Sequence, residues 1–239
     1  QGGSIVSTDF RTREQQSINP WGRGSGGGPA AGQKFRFNWN APMVFSPHEK
    51  TTVYFGGNVL FKTPDFGKTW EQISPDLTTN NPEKLKDAGG PVAIENTTAE
   101  YHSTIITIGE SPAQKGHIWV GTDDGNLQLT TDGGKNWSNL VKNVNGIAAN
   151  SPVSHVEPSR TGGTAYVSFE RHMFDDFKPY LYKTSDFGKT WKKIVGGIPD
   201  GVRVGHMLAM VEGEDAEAMS EARDVCRAAR DHGARDRWG

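Results

Sequence analysis

A single cysteine, Cys226, stands among 239 residues, so no internal disulfide framework can form, and cysteine usage leaves the compartment open. An excess of one charge is missing too. Lys and Arg total 26 against 28 Asp and Glu, a net charge of -2. That balance removes the electrostatic case for nucleic acid or an anionic membrane as partner. No apolar run approaches the roughly 18 residues that a membrane-spanning helix needs, and apolar residues make up only 34% of the chain. No signal peptide is visible, and the chain opens on Gln1 rather than Met, so the natural N-terminus is expected upstream. Zinc-ligand spacing, a phosphate-binding loop and a G-x-S-x-G nucleophile elbow are all lacking. The run from Gly22 to Gly28 has no strand–helix context and reads as a flexible loop rather than a phosphate cradle.

What the chain does have is 30 Gly, 13 Pro and 7 Trp. Little apolar content beside much Gly and Trp points to many short strands joined by tight turns. Three segments repeat: Thr63-Pro64-Asp65-Phe66-Gly67-Lys68-Thr69-Trp70, Thr130-Thr131-Asp132-Gly133-Gly134-Lys135-Asn136-Trp137 and Thr184-Ser185-Asp186-Phe187-Gly188-Lys189-Thr190-Trp191. The shared pattern is S/T-x-D-x-G-x-x-W. Its Asp can accept backbone N–H groups across its own turn, its Gly supplies a positive φ, and its Trp packs beneath the hairpin. Asp65, Asp132 and Asp186, with Trp70, Trp137 and Trp191, are therefore expected to be structural rather than catalytic. Upstream of each box lie β-like runs such as Val53-Tyr54-Phe55, Ile118-Trp119-Val120 and Ala165-Tyr166-Val167. Earlier runs closed by proline precede these, and short apolar strands such as Trp70 to Ile73 or Trp191 to Val195 follow each box. Each unit is thus four antiparallel strands, A to D, one blade of a β-propeller.

Residues 1–20 read as the end of an earlier blade with a degenerate turn, so residues 1–199 hold about three and a half blades. A ring normally needs about four to eight. The chain is accordingly expected to be a fragment of a longer protein; self-association to close the ring is the alternative. From about Val202 the pattern stops. All 14 Lys precede residue 200, yet 6 of 12 Arg follow it, and Glu214 to Arg230 is helix-prone. Residues 200–239 are read either as an amphipathic helix covering an open sheet edge or as out-of-frame or foreign sequence. The second is preferred, and no function is placed there.

Blade topology puts the B–C and D–A loops on one face and the Asp boxes on the other. The long insertions all fall on the first face, where binding residues on a rigid scaffold are expected. Catalytic candidates there are Glu100, His102, Asp123, Asp124, Asp175 and Asp176. Substrate-binding candidates are Arg36, Trp39, Tyr101, Arg171 and His172, with Asn38 and Asn40 nearby. Carboxylates beside His, Arg and aromatics suit acid/base work on a sugar. The same oxygens suit Ca²⁺, the one cofactor suggested. Blander readings stand beside these: Asp123-Asp124-Gly125 as a hairpin turn, Asp175-Asp176 as a solvated loop pinned by Phe174 and Phe177, His102 as a partly buried, satisfied histidine, Trp39 as a core residue.

Phe35-Arg36-Phe37-Asn38-Trp39-Asn40-Ala41-Pro42, Ile73-Ser74-Pro75-Asp76-Leu77-Thr78 and Asp175-Asp176-Phe177-Lys178-Pro179-Tyr180-Leu181-Tyr182-Lys183-Thr184 resemble large bacterial BNR-repeat proteins of the glycosyl-hydrolase-like class. Their architecture is similar to sortilin-type propellers and xyloglucan-cleaving endoglucanases. The resemblance covers residues 1–199. It implies an all-β propeller, export to the periplasm or outside the cell, and a glycosidase-like activity. Its catalytic pair matches no residues of this sequence, so none is carried over. Three functions follow: a glycosidase-like hydrolase using Asp175 or Asp176 with Asp123, Asp124 or Glu100; a Ca²⁺-dependent lactone or ester hydrolase; and a non-catalytic protein- or glycan-binding propeller. Partners are accordingly a carbohydrate or a small ester or lactone, with neither nucleic acid nor membrane.

Overall fold

The computed structural model describes residues 2–20, 28–87, 89, 92–94, 96, 101–201 and 204. Among these there is no α-helix, only single 3₁₀ turns at Ala30–Gly32, Pro82–Lys84, Val141–Asn143 and His172–Phe174. The expectations for the tail beyond Gly201, save Val204, for Glu100 and for the loop from Gly22 as far as residue 27 lie outside the described residues.

Fourteen strands form one hairpin and three four-stranded antiparallel sheets. The hairpin pairs β1 (Val6–Thr8) with β2 (Gln15–Ser17). Blade 1 runs β3 (Met43–Phe45), β4 (Val53–Gly56), β5 (Leu60–Thr63), β6 (Glu71–Gln72). Blade 2 runs β7 (Ile105–Glu110), β8 (Ile118–Thr122), β9 (Leu127–Thr130), β10 (Ser138–Asn139). Blade 3 runs β11 (Val153–Pro158), β12 (Ala165–Phe169), β13 (Tyr180–Thr184), β14 (Lys192–Lys193). Each sheet is a simple meander in the order A-B-C-D. The expected apolar fourth strand is corrected: β6, β10 and β14 are two exposed polar residues each. They are outer edges, where short, charged strands discourage edge-to-edge pairing. The apolar residues lie just beside them.

The middle strands of blades 1 and 2 are buried on both faces because each of these blades lies between neighbours. Tyr54 and Leu60 of blade 1 pack on Ile105, Ile108, Ile118 and Val120 of blade 2. Trp119, Leu127 and Leu129 of blade 2 pack on Val153, Val156, Ala165, Val167 and Tyr182 of blade 3. Strand A of each later blade lies on strands A and B of the one before, so the innermost strands converge. The three blades and the leading hairpin constitute an open β-propeller.

One device repeats between blades. The residue after each strand D donates its N–H to the start of strand C: Ile18 to Ile5, Ile73 to Leu60, Leu140 to Leu127 and Ile194 to Leu181, at 3.1, 2.9, 2.7 and 2.9 Å. Onto the first three of these side chains sits the box glycine of the next blade, Gly67 on Ile18, Gly134 on Ile73 and Gly188 on Leu140, each at positive φ with no room for a Cβ. The box tryptophan reaches the same place. Trp70 Nε1 donates to the Ile18 carbonyl at 2.7 Å and Trp137 Nε1 to the Ile73 carbonyl at 3.3 Å. Trp191 instead bonds Gly188 at 3.1 Å and meets Trp119 edge-on at 5.9 Å. The ring therefore packs across the blade boundary, which sharpens the expectation that it packs under its own hairpin.

Candidate functional site

The Asp boxes use their carboxylates internally. Asp65, Asp132 and Asp186 each accept from the Thr two residues earlier at 2.8 or 2.9 Å, and from the backbone N–H four residues later at 2.8 or 2.9 Å. Their second oxygens take the Thr69 hydroxyl, the Asn136 amide and the Thr190 hydroxyl. Bonds to the anion lower the proton affinity. Bonds from Asn136 hold Asp132 at about 2, bonds from Thr190 hold Asp186 at about 2, and the Thr69 N–H leads the lowering at Asp65.

On the opposite face a cleft of about 870 Å³ opens where the innermost strands converge. It draws on all three blades: Asn38 and Asn40 ahead of blade 1, Ile106 and Asp123 of blade 2, Ser154, His155, Glu170, Arg171, His172, Asp176 and Phe177 of blade 3. Of the sequence candidates, Asp123, Asp176, Arg171 and His172 line this cleft. Asp175, Asp124, His102, Trp39, Tyr101 and Arg36 are not among its lining residues.

Asp176 closes the B–C insertion of blade 3. Its carboxylate accepts from Arg171 Nε at 3.1 Å, the Tyr180 hydroxyl at 2.7 Å and the Lys178 N–H at 3.3 Å. The Tyr180 bond, with help from Lys178 and Arg171, keeps Asp176 ionised, and Tyr180 is pushed up to about 12 in return. Arg171 also donates to Ser151 at 2.6 Å and covers the Phe174 ring at 4.9 Å. Phe174 thus helps to pin the loop beneath Arg171, whereas Phe177 is 56% exposed, and the Arg171–Asp176 ion pair holds the loop as well. Asp175 sits beside it, exposed, in a left-handed conformation with φ of 54°.

Asp123 and Asp124 form the B–C turn of blade 2, and they differ. Thr122 Oγ1 donates to Asp124 at 2.6 Å and accepts the Asn126 N–H at 2.8 Å. This is the first half of an Asp box, and Thr122-x-Asp124 was its sequence signal. The other Asp124 oxygen takes the Thr79 N–H and hydroxyl at 2.8 and 2.7 Å. Asp124 is therefore a buried strut. Asp123 accepts the Thr104 N–H at 2.8 Å, yet burial, reinforced by the Asp124 charge, pushes it up to about 7. His102 completes a cluster: one ligand atom each from His102, Asp123 and Asp124 lie within 4.8 Å of one another. Burial lowers the His102 proton affinity, so the imidazole is neutral at pH 7. An imidazole and two carboxylates already bonded to threonines are a poor set for Ca²⁺, which takes six to eight oxygens.

Of the remaining binding candidates, Arg36 and Tyr101 face inward. Arg36 is 4% exposed; it donates to Asp76 at 2.7 Å, to Thr78 at 3.2 Å and to the Ser103 carbonyl at 3.2 Å. Asp76, stabilised as an anion by Asn58, Thr78 and Arg36, was missed as its partner, although Ile73-Ser74-Pro75-Asp76 stood out in the sequence. Tyr101 is buried with Ala30 and Leu85 and donates to the Gly28 carbonyl at 2.6 Å. Trp39 is corrected from core to surface at 45% exposure. Glu170, His155 and Ser154 of the cleft were missed, having no motif to mark them.

These blades are Asp-box β-propeller blades. The BNR-Asp box repeat model matches residues 60–73 and 181–194, the boxes of blades 1 and 3; blade 2 makes the same bonds around Asp132. No curated protein matches the chain. Among solved structures, YCF48 from Cyanidioschyzon merolae aligns over 66% of this chain and 39% of its own, at 18% identity and TM-score 0.42. A GH74 xyloglucanase from Xanthomonas campestris aligns over 70% and 22%, at 18% identity and TM-score 0.42. A GH74 enzyme from Niastella koreensis aligns over 80% and 37%, at 12% identity and TM-score 0.28. The chain thus spans less than half the length of each.

Proposed function

We propose that the chain is part of a glycosidase-like hydrolase whose acid/base pair is Asp123 and Asp176. The observation that carries this reading is one cleft holding two carboxyls with opposed proton affinities: Asp123 raised to about 7 by burial, Asp176 lowered by hydrogen bonds and Arg171. Environments that push two acids apart in this way separate their roles. Asp123, carrying a proton near neutral pH, would donate it to the leaving glycosidic oxygen. Asp176, ionised, would act as base toward water or attack the sugar itself. Exposed Phe177 at the rim gives a sugar face something to stack on. The test is a hydrolysis screen over polysaccharides with D123N and D176N. Turnover should fall by at least a hundredfold in each, roughly the general acid/base contribution, with melting temperatures retained. Full turnover in either folded variant rejects the pair.

Two other readings keep a specific motive. The proximity of His102, Asp123 and Asp124 favours lactone or ester hydrolysis dependent on a nitrogen-binding divalent metal such as zinc rather than on Ca²⁺, which activity surviving exhaustive chelation would eliminate. The internal bonds of Asp176 favour a loop anchor in a propeller that captures a glycan or protein without turnover. Turnover by the pure protein would count against that.

A further inference from the structure

A second proton-handling group faces the same cleft and has no part in the carboxylate reading. Glu170 follows β12 and is fixed by its N–H to the Pro152 carbonyl at 3.1 Å; His172 opens the next 3₁₀ turn. Glu170 Oε1 and His172 Nδ1 lie 2.8 Å apart. Both atoms are shut off from solvent and meet as a charge contact without hydrogen-bond geometry, although each side chain as a whole is 33% exposed. Since Nδ1 is enclosed against Glu170, Nε2 is the ring nitrogen left for a ligand. The residue between them is anchored: Arg171 holds Asp176 and Ser151 and lies over Phe174. The other cleft histidine, His155, is held through the opposite ring nitrogen, with Nε2 at 3.3 Å from Glu157. Met173 and Phe177, 79% and 56% exposed, put apolar surface at the rim beside His172.

We infer that His172, positioned by Glu170, gives the cleft a metal-independent hydrolytic activity toward small apolar esters. A carboxylate behind one imidazole nitrogen fixes the ring and steadies the cation formed when the other nitrogen takes a proton. In the step, a water oxygen bonds to the ester carbonyl carbon while His172 Nε2 takes its proton. The tetrahedral adduct then collapses, the bond from carbon to the alcohol oxygen breaks, and the proton passes from Nε2 to that oxygen. The products are a carboxylic acid and an alcohol, and nothing is oxidised or reduced. Met173 and Phe177 would hold the acyl or alcohol portion.

The test is hydrolysis of 4-nitrophenyl acetate by the whole chain, with and without EDTA, in wild type, H172A, H172Q, E170Q and H48Q. Wild type should saturate with substrate and survive chelation. H172A and H172Q should lose about a hundredfold in turnover, the usual contribution of a positioned base, and free imidazole should restore part of the H172A rate. E170Q should lower kcat with KM unchanged, which a merely structural Glu170 would not do. H48Q, on the opposite face, should match wild type. A wild-type rate in H172Q, or in E170Q, overturns the inference, as does loss of the rate on chelation. Polysaccharide turnover is assayed on a different bond, so failure here leaves the Asp123–Asp176 reading standing.

Discussion

Replacing Gly134 by Ala should destabilise the protein far more than replacing its neighbour Gly133, and the difference measures the contact between blades. Both glycines have positive φ, 74° for Gly133 and 104° for Gly134, so each Ala carries a backbone cost of about 1–2 kcal/mol. Their surroundings differ. A Cβ on Gly133 meets nothing within 4 Å. A Cβ on Gly134 overlaps the Ile73 carbonyl oxygen and comes within 3.0 Å of the Ile73 Cβ. That backbone is held by the Ile73–Leu60 hydrogen bond and receives Trp137, so it cannot yield without loosening blade 1 from blade 2. Forcing atoms into a filled contact adds about 1–3 kcal/mol. G134A should therefore lose about 2–5 kcal/mol and G133A only about 1–2. Urea unfolding reads this directly: with a slope of about 2 kcal/mol per molar, the G134A midpoint should lie roughly 0.5–1.5 M below that of G133A. Equal midpoints would refute the claim that the box glycine is a blade-to-blade contact rather than a turn requirement alone.

Acid should loosen the propeller in a defined window. Asp132 and Asp186 have folded values of about 2, below the ordinary carboxylate value, so the stability they contribute is present above about pH 4 and lost as pH falls through 2; D186N should flatten that part of a stability–pH curve. Asp123 has the opposite sign. Its folded value near 7 lies above the unfolded one, so stability should fall as pH rises from about 4 to 7, and D123N should abolish that slope in thermal melts from pH 4 to 8. R36M should cost about 2–4 kcal/mol in chemical denaturation, less than a fully enclosed pair, because Asp76 is left uncompensated but is 26% exposed and keeps Asn58 and Thr78.

The blades were legible because an Asp box is local chemistry: Thr, Asp, Gly and Trp within eight residues dictate one turn. Short apolar runs then supplied A to C. Strand D was misjudged as apolar because Trp70 and Ile73 flank it; its own two residues are polar and face solvent. The face bearing the cleft followed from topology alone. Which residues share the cleft did not, because Asp123 of blade 2 meets the Glu170–Asp176 loop of blade 3 only through blade packing, which no sequence spacing reveals. Arg36 looked available to a ligand because its partner, Asp76, lies 40 residues away. Asp124 was separable from Asp123 in principle, since Thr122-x-Asp124 repeats half of the box that the rest of the chain announces.

The proposed hydrolase divides a structural Asp-box face from a catalytic face opposite. Turnover in D132N and D176N, each checked for a native circular dichroism spectrum and measured on whichever polysaccharide the wild type hydrolyses, tests that division most directly. The account predicts that D132N keeps its turnover while losing stability toward acid, and that D176N loses turnover with the blades intact. Turnover abolished in a folded D132N and retained in D176N would contradict it.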